Sequence, residues 1–551
     1  MLLFLLACVD PAPVGLEDKA PDRSADPDTD LEVIDPSSSY FDESVMHEVR
    51  ITLDAADWES LRRQDRSVIE MFSDGCMDAP WPSPFTWFNA DVTFDDVALP
   101  GSAVRKKGLL GSLSYERPSF RIDTDRNDGG QELGGLSALA LNNNNQDPSA
   151  LRSCLTYAVF REAGVLTPRC ALAHVMVNGE DLGLYSHVEQ VDPDFIRRGR
   201  GEAPESLYEG TLSDFREGWL STFDAEIDGA DGDDLDALAD ALTVADDALF
   251  AALEPLLDLD QFFLFWAAES LTGHWDGYTY NTNNFFVFRD GVDQKLRFVP
   301  WGPDGALQID GEPPWVFTAG ILANRLIAHP EGRERYRAAL TALVNGPWTD
   351  ADLVHRALDL ANLTDPYRTS DMRGDQNELR NMLEDRAERV LDAMSAEPGP
   401  VEAELREASC LSEQGQIELV FSTTWGSLGV EDYYTWGDGS FEIELNGELF
   451  SAGELGVVVG EDAGSAIFVA IGEIAPSVYL APYVTFDPET VAPGVIVLDG
   501  LDALGQLIYS EPGTDWTSVA YLGPGELRFT EASTAPNAPV TGTISAPILG
   551  W

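Results

Sequence analysis

Apolar residues change their spacing twice along this chain, and that constrains its fold more than any single motif does. From about Val45 to Tyr208 they alternate in short runs, at 47–53, 85–94, 104–113 and 118–123. That is the period of strands with one buried face. Within this stretch, Leu151, Leu155, Val159 and Ala163 stand at helical spacing after Asp147-Pro148, a cap and an early proline, and Gly164 ends the run. Asn178-Gly179 between two apolar runs predicts a tight hairpin, because both residues accept the positive φ such a turn needs. Residues 235–256, 259–270, 333–344, 350–363 and 375–394 then repeat at helical spacing, up to Glu397-Pro398-Gly399-Pro400, which reads as a linker. From 417 to the end, short β-rich runs return between Gly and Pro turns. The expected class is α+β: a strand-rich unit over 45–212, a helical unit over 213–398, and an all-β, sandwich-like unit over 405–551.

Charge narrows the partners. The 551 residues include 96 Asp plus Glu against 34 Lys plus Arg, a formal net charge of −62. Nucleic-acid binding needs clustered cations to displace counterions from phosphates, and the only dense basic stretches are Arg105-Lys106-Lys107 and Arg197-Arg198-Gly199-Arg200. Nucleic acid is therefore excluded as a partner, and most of the acidity reads as a solvated, self-repelling surface.

The first residues, MLLFLLAC, end in Leu5-Leu6-Ala7-Cys8, which fits a bacterial lipobox with Cys8 as the acylated residue. The apolar run is short and lacks a basic start, so 1–8 reads as a lipoprotein signal cut short at its beginning. Residues 9–44, rich in Pro, Asp and Ser, read as a flexible tether. No later stretch is apolar for the roughly 20 residues a spanning helix needs. Export with a lipid anchor to the bacterial envelope is the expectation. With Cys8 lipidated, Cys76, Cys154, Cys170 and Cys410 remain, enough for two disulfides in an oxidising compartment. Three pairings are open, and Cys154 with Cys170, the nearest pair along the chain, is the one expected.

Four ordered blocks carry a family resemblance. The first is Lys107-Gly108-Leu109-Leu110-Gly111-Ser112 with Arg117-Pro118-Ser119-Phe120-Arg121. The second runs from Leu141-Asn142-Asn143 to Gln146-Asp147-Pro148-Ser149. The third joins Val177-Asn178-Gly179, Gly183-Leu184-Tyr185 and Glu189-Gln190-Val191-Asp192 to Leu207-Tyr208-Glu209-Gly210. The fourth joins Gly273-His274-Trp275-Asp276-Gly277-Tyr278, Asn281-Thr282-Asn283-Asn284 and Pro300-Trp301-Gly302-Pro303-Asp304. Together these resemble the CotH kinase family, the spore-coat CotH-like atypical protein kinases, over roughly 45–395. The resemblance implies a two-lobed kinase-like domain using ATP with Mg²⁺ or Mn²⁺ on Ser or Thr of exported or envelope proteins. Asp276 and Asn281 reproduce the Asp-x4-Asn spacing of kinase catalytic loops. The resemblance makes Asp276 the catalytic carboxylate, Asp304 a metal ligand, and Asn281 or Asn284 a further ligand. It places Lys107, Gly108, Gly111, Ser112, Arg117, Arg121 and Glu189 round the nucleotide, with Glu189 at the hinge beside the base. The turn at Gly108 and Gly111 reads equally as a plain hairpin turn, and His274 reads as a packed loop residue.

Two departures stand out. Arg117 occupies a place where relatives commonly carry Lys, and Gly302 replaces the first acid of the Pro-Trp block. Arginine forks onto phosphate but is not equivalent to lysine; Lys107 is the substitute ammonium. The rival expectation is a catalytically inactive, surface-anchored coat or adhesion protein on the same scaffold, which export favours because ATP is scarce outside the cytoplasm. Zinc-protease and nucleophile-elbow signatures are absent. Residues 123–134 begin like a calcium loop at Asp123, Asp125 and Asn127 but lack the turn glycine and the final glutamate.

Overall fold

The computed structural model describes residues 35–127, 129–308, 314–395, 404–408, 410–430 and 436–551. Cys8 and most of the 9–44 segment lie outside them. The alternating runs form seven strands: β1 (His47–Thr52), β2 (Phe88–Phe94), β3 (Val97–Lys107), β4 (Ser119–Asp123), β5 (Ala138–Asn142), β6 (Cys170–Val177) and β7 (Glu180–Val188). They close into a barrel in the order β1-β2-β3-β4-β5-β7-β6. One residue in two points inward along a strand. Val49, Ile51, Val92, Phe94, Val104, Phe120, Ile122, Leu139, Leu141, Val175 and Val177 accordingly fill the interior. Closure comes from β1 lying parallel to β6, with Val49 opposite Val175 and Ile51 opposite Val177. The Asn178-Gly179 hairpin joins β6 to β7 with φ of 51° and 84°, as its sequence predicts. The strand expected over 104–113 instead ends at Lys107, where Gly108 turns the chain at φ 126°.

The helix Arg152–Glu162 is buried on nearly all sides between the barrel and the helical unit. Its first turn is held by Asp147, whose carboxylate accepts from the Arg152 amide at 2.7 Å and pairs with the Arg152 guanidinium at 2.7 Å. The cap thus acts one turn later than the sequence reading placed it. A disulfide joins Cys154 of this helix to Cys170 of β6, the expected pair; the second joins Cys76 to Cys410.

The helical unit also contains a small antiparallel sheet, β8 (Ser206–Gly210), β9 (Phe223–Ala225), β10 (Phe285–Arg289) and β11 (Leu296–Pro300), in the order β11-β10-β8-β9. Helix Leu259–Thr272 packs against it through Phe262 and Phe265 on Phe298, with Trp266, Tyr278 and Tyr336 completing an aromatic core. Trp266 stacks on Tyr336 with centroids 3.9 Å apart. The stretch expected as one helix over 235–256 is broken into Asp233–Leu242 and Leu249–Leu253.

Residues 412–550 form an eleven-stranded sheet. Its first strand, Ser412–Thr424, pairs with its last, Pro539–Gly550. The sheet curls over, so that Ile417, Leu419 and Phe421 meet Val457, Phe468 and Val484 in one separate core. It is all-β, as expected, and its strands form one connected sheet that branches at the last strand. It docks on the segment after β1 through Ile69, Met71, Phe72, Leu411 and Leu549, with Phe72 edge-on to Trp551. Among the described residues, no helix is long and apolar enough to cross a membrane.

Candidate active-site cleft

Strand alternation sends the adjacent Lys106 and Lys107 in opposite directions. Lys106 turns away from the cleft and donates to the carbonyls of Arg62 (3.0 Å) and Gln64 (2.5 Å), closing the end of helix Ala55–Arg63, a usual cation position. Lys107 turns into a cleft of about 540 Å³ between the barrel and the helical unit. Its ammonium donates to Asn142 Oδ1 at 2.6 Å and sits 5.2 Å above the Trp301 ring. Burial brings its pKa down to about 8, against the pull of Glu209 and Asp304. Arg105 and Arg121, opposite each other on β3 and β4, share this wall with Arg66. The Arg121 guanidinium has no hydrogen-bond or ion-pair partner among the described residues, and Arg105 Nε is buried without an acceptor there. In a chain of net charge −62, these cations are gathered on one surface.

The facing wall is built from the end of helix Leu259–Thr272 onward. Gly273 stops the helix at φ 63°. Glu269, fully buried, then accepts from the Tyr278 amide (2.9 Å), the Thr279 amide (2.8 Å) and the Thr279 hydroxyl (2.5 Å). Tyr278 donates in turn to Asp214 at 3.0 Å. The short helix Tyr278–Asn281 is thereby pinned from below, and Asp276 is set at its entrance. Asp276 Oδ1 accepts from Asn281 Nδ2 (2.5 Å) and Asn283 Nδ2 (3.1 Å), and Oδ2 accepts from Asn284 Nδ2 (2.7 Å). Burial raises its pKa, and these amides oppose the shift. Asp304, on the turn Pro303–Gly305 after β11, pairs with no other side chain among the described residues. Burial first, then the neighbouring Asp147 and Asp276, push it up to about 7. The Tyr157 hydroxyl is buried near Asp304, beside the Gly302 backbone.

Glu269 yields a sharp expectation. Burial raises it from 4.5 to about 8, so between those values the folded chain holds a proton that the unfolded chain has released. Its contribution to stability is largest below the lower value and is lost as pH rises through the upper one. Glu269→Gln, which cannot ionise, should lose less stability than the wild type from about pH 5 to about pH 8 in urea titrations. Parallel pH profiles would contradict this.

Of the residues singled out from sequence, Lys107, Gly108, Gly111, Ser112, Arg121, Asp276, Asn281, Asn284 and Asp304 all line the cleft. Two do not. Arg117 donates to the carbonyls of Asn143 (3.1 Å) and Leu184 (2.8 Å) and lies over Tyr185 at the barrel end. Glu189 is held behind the cleft by Arg169 and Arg198, and its neighbour Gln190 reaches the cleft instead. The Gly108–Ser112 turn closes on itself: Ser112 Oγ accepts from the Leu109 amide at 3.2 Å, and a Cβ at Gly111 would strike Gln146 at 2.6 Å. Both glycines therefore have packing reasons to be there. His274 is buried against the Trp301 carbonyl at 3.1 Å, the packed loop residue expected. Sequence reasoning missed Arg66, Arg105, Glu209, Asp224, Glu226 and Arg406. Glu209, in the third block, carries a pKa raised to about 7 by burial and then by Glu226; the alternation of β8 was the available signal.

A carboxylate braced by amides, a second acid and a group of cations meet at one cleft between a barrel and a helical unit. The profile of the CotH kinase protein family matches residues 104–395, over half of the chain, and the chain belongs to that family. The inner spore coat protein H of Bacillus subtilis (strain 168) is 24% identical over 306 residues, covering 50% of this chain and 80% of that protein. Invasin CotH2 of Rhizopus delemar is 22% identical over 274 residues, covering 43% of this chain and 46% of its own. The crystal structure of the Helicobacter pylori proinflammatory kinase CtkA aligns over 46% of this chain and 88% of its own, at 10% identity. Its TM-score of 0.23 carries no argument about the fold.

Proposed function

We propose that the cleft binds ATP with Mg²⁺ or Mn²⁺ and transfers the terminal phosphoryl group to Ser or Thr hydroxyls of exported or envelope proteins, with the barrel and the helical unit as its two lobes. The carrying observation is Asp304, an unpaired acid beside Asp276 and Asp147 that faces Lys107 and the unpartnered Arg121 across the cleft. Unpaired hard oxygens of this kind suit a small divalent cation. No cluster of three or more His, Cys, Asp or Glu able to hold a metal occurs among the described residues, so carboxamide and phosphate oxygens would have to complete the shell. Asp304 and Asn284 are the fitting ligands, since Asn284 gives its N–H to Asp276 and keeps its oxygen on the Gly302 side. A bound cation would neutralise charge developing on the phosphate oxygens. Lys107, Arg121 and Arg105 hold the phosphate end, and Asp276 orients the acceptor hydroxyl and takes its proton.

Two disulfides support an oxidising compartment, which is consistent with export and with a lipid anchor at Cys8. The names of the spore-coat relatives are in keeping with a surface or coat location. The rival, a silent scaffold, draws on the engagement of both Asp276 oxygens by amides and on the glycine at 302.

Thermal unfolding of the full chain with ATP and Mg²⁺ or Mn²⁺ separates the two. Saturating a site at a hundredfold excess over Kd stabilises the folded state by about 2.7 kcal/mol. The expected result is a metal-dependent rise in Tm that Asp304→Ala removes. No shift with either metal would sink the kinase reading.

A further inference from the structure

The family match ends at residue 395, yet a side chain beyond it reaches the catalytic loop. Residues 404–408 lead from the last helix, Ser370–Ser395, toward the C-terminal sheet. Within them, the Arg406 amide donates to the Ala319 carbonyl at 3.0 Å, and its carbonyl accepts from Arg216 Nη2 at 2.6 Å. Arg216 is ion-paired at 2.7 Å with Asp214, the same carboxylate that receives Tyr278 from under the loop. Four residues on, Cys410 is bonded to Cys76, whose segment continues into Pro80, Trp81 and Phe85 at the cleft. The segment is thus fixed on both sides of Arg406.

The guanidinium of Arg406 donates to the Asn281 side-chain oxygen and, at 3.3 Å, to the Asn281 carbonyl. An arginine offers only donors, so the Asn281 carboxamide must turn its oxygen to Arg406. Its N–H₂ is then left facing Asp276, where it donates at 2.5 Å. The reversed amide would set donors against the guanidinium and an acceptor against the carboxylate. We infer that Arg406 is a positioning residue: from outside the family domain it fixes the orientation of Asn281, and through it the Asp276 carboxylate. The Asn281 oxygen is thereby withdrawn from any metal shell. The catalytic consequence, though not the positioning itself, rests on the kinase reading given above.

The test uses the full chain with Arg406→Ala and Arg406→Lys. Steady-state ATP turnover with Mg²⁺, read as ADP release, should fall at least about tenfold in kcat for Arg406→Ala, with the KM for ATP held within about twofold. Arg406→Lys, which still donates to Asn281, should recover a large part of the loss. Amide hydrogen exchange reads the same contact without catalysis: residues 276–284 should exchange at least about fivefold faster in Arg406→Ala and close to wild-type rates in Arg406→Lys. Unchanged exchange over 276–284 in Arg406→Ala overturns the proposal, whatever the turnover. Acceleration spread equally through the barrel and the C-terminal sheet in both variants also overturns it, as general loosening. Faster exchange confined to the loop in a chain that shows no ATP turnover or nucleotide shift upholds the positioning role while the kinase reading fails.

Discussion

Asp276→Ala should cut ATP turnover by about 10²- to 10⁴-fold, the range typical of losing a positioned general base, while leaving the metal-dependent nucleotide shift in place. The separation follows from the geometry. Asp276 lies among the three asparagine amides, whereas Asp304, Lys107 and Arg121 are the residues proposed to hold the cation and the phosphates. Removing the Asp276 carboxylate leaves three amide N–H groups that water can satisfy from the open cleft, and Glu269 still holds the loop from beneath. Turnover and fold should therefore part company. A variant that keeps turnover within threefold, or about half a log unit, would show that Asp276 is only a loop anchor. A variant that loses the nucleotide shift as well would place Asp276 in the binding shell instead.

Removing the Cys76–Cys410 bridge with paired serines should cost roughly 2–5 kcal/mol, the usual range for a native disulfide. The loop it closes is long, its ends separated by 334 positions along the chain, and closure entropy grows with loop length. Its two ends lie along the chain from Phe72 and Leu411, which share one small apolar cluster. Apart from the bridge, the C-terminal sheet meets the rest through the small cluster of Ile69, Met71, Phe72, Leu411 and Leu549, the Ser67 hydroxyl on the Asp499 carbonyl, and an exposed Arg63–Asp487 pair at 3.6 Å. An exposed ion pair adds at most about 1 kcal/mol. Urea unfolding of the serine variant should therefore begin at lower denaturant and resolve into two transitions. A single transition at the wild-type midpoint would mean that the apolar cluster alone couples the units.

How much of this was legible in the sequence depended on how local the physics was. The Asn178-Gly179 hairpin and the stop at Gly164 each follow from a few neighbouring residues, and both form where their chemistry says. The gathering of Lys107, Asp276 and Asp304 was legible through the ordered blocks. Closure of the barrel was not: β1 meets β6 across more than a hundred residues, and no local pattern records a parallel pairing of that span. Glu189 shows the limit of carrying a role across a strand end. The residue beside it faces the cleft, and a shift of one position reverses the side on which a side chain lies. Arg117 stands near the right strand but spends its donors on backbone carbonyls. Arg406 left no signal, because its importance comes from where a linker happens to cross.

The cationic wall has a consequence for how ligands arrive. A strongly acidic protein repels anions over most of its surface, and the repulsion reaches outward by about a Debye length, near 8 Å in physiological salt. Within the cleft, Arg66, Arg105, Lys107 and Arg121 stand among Glu209, Asp224, Glu226, Asp276 and Asp304, so the acid excess is locally balanced. Phosphate-bearing solutes are therefore repelled less at this mouth than over the acid-rich surface around it. The distribution of charge thus sets where an anion meets least resistance before it makes any specific contact.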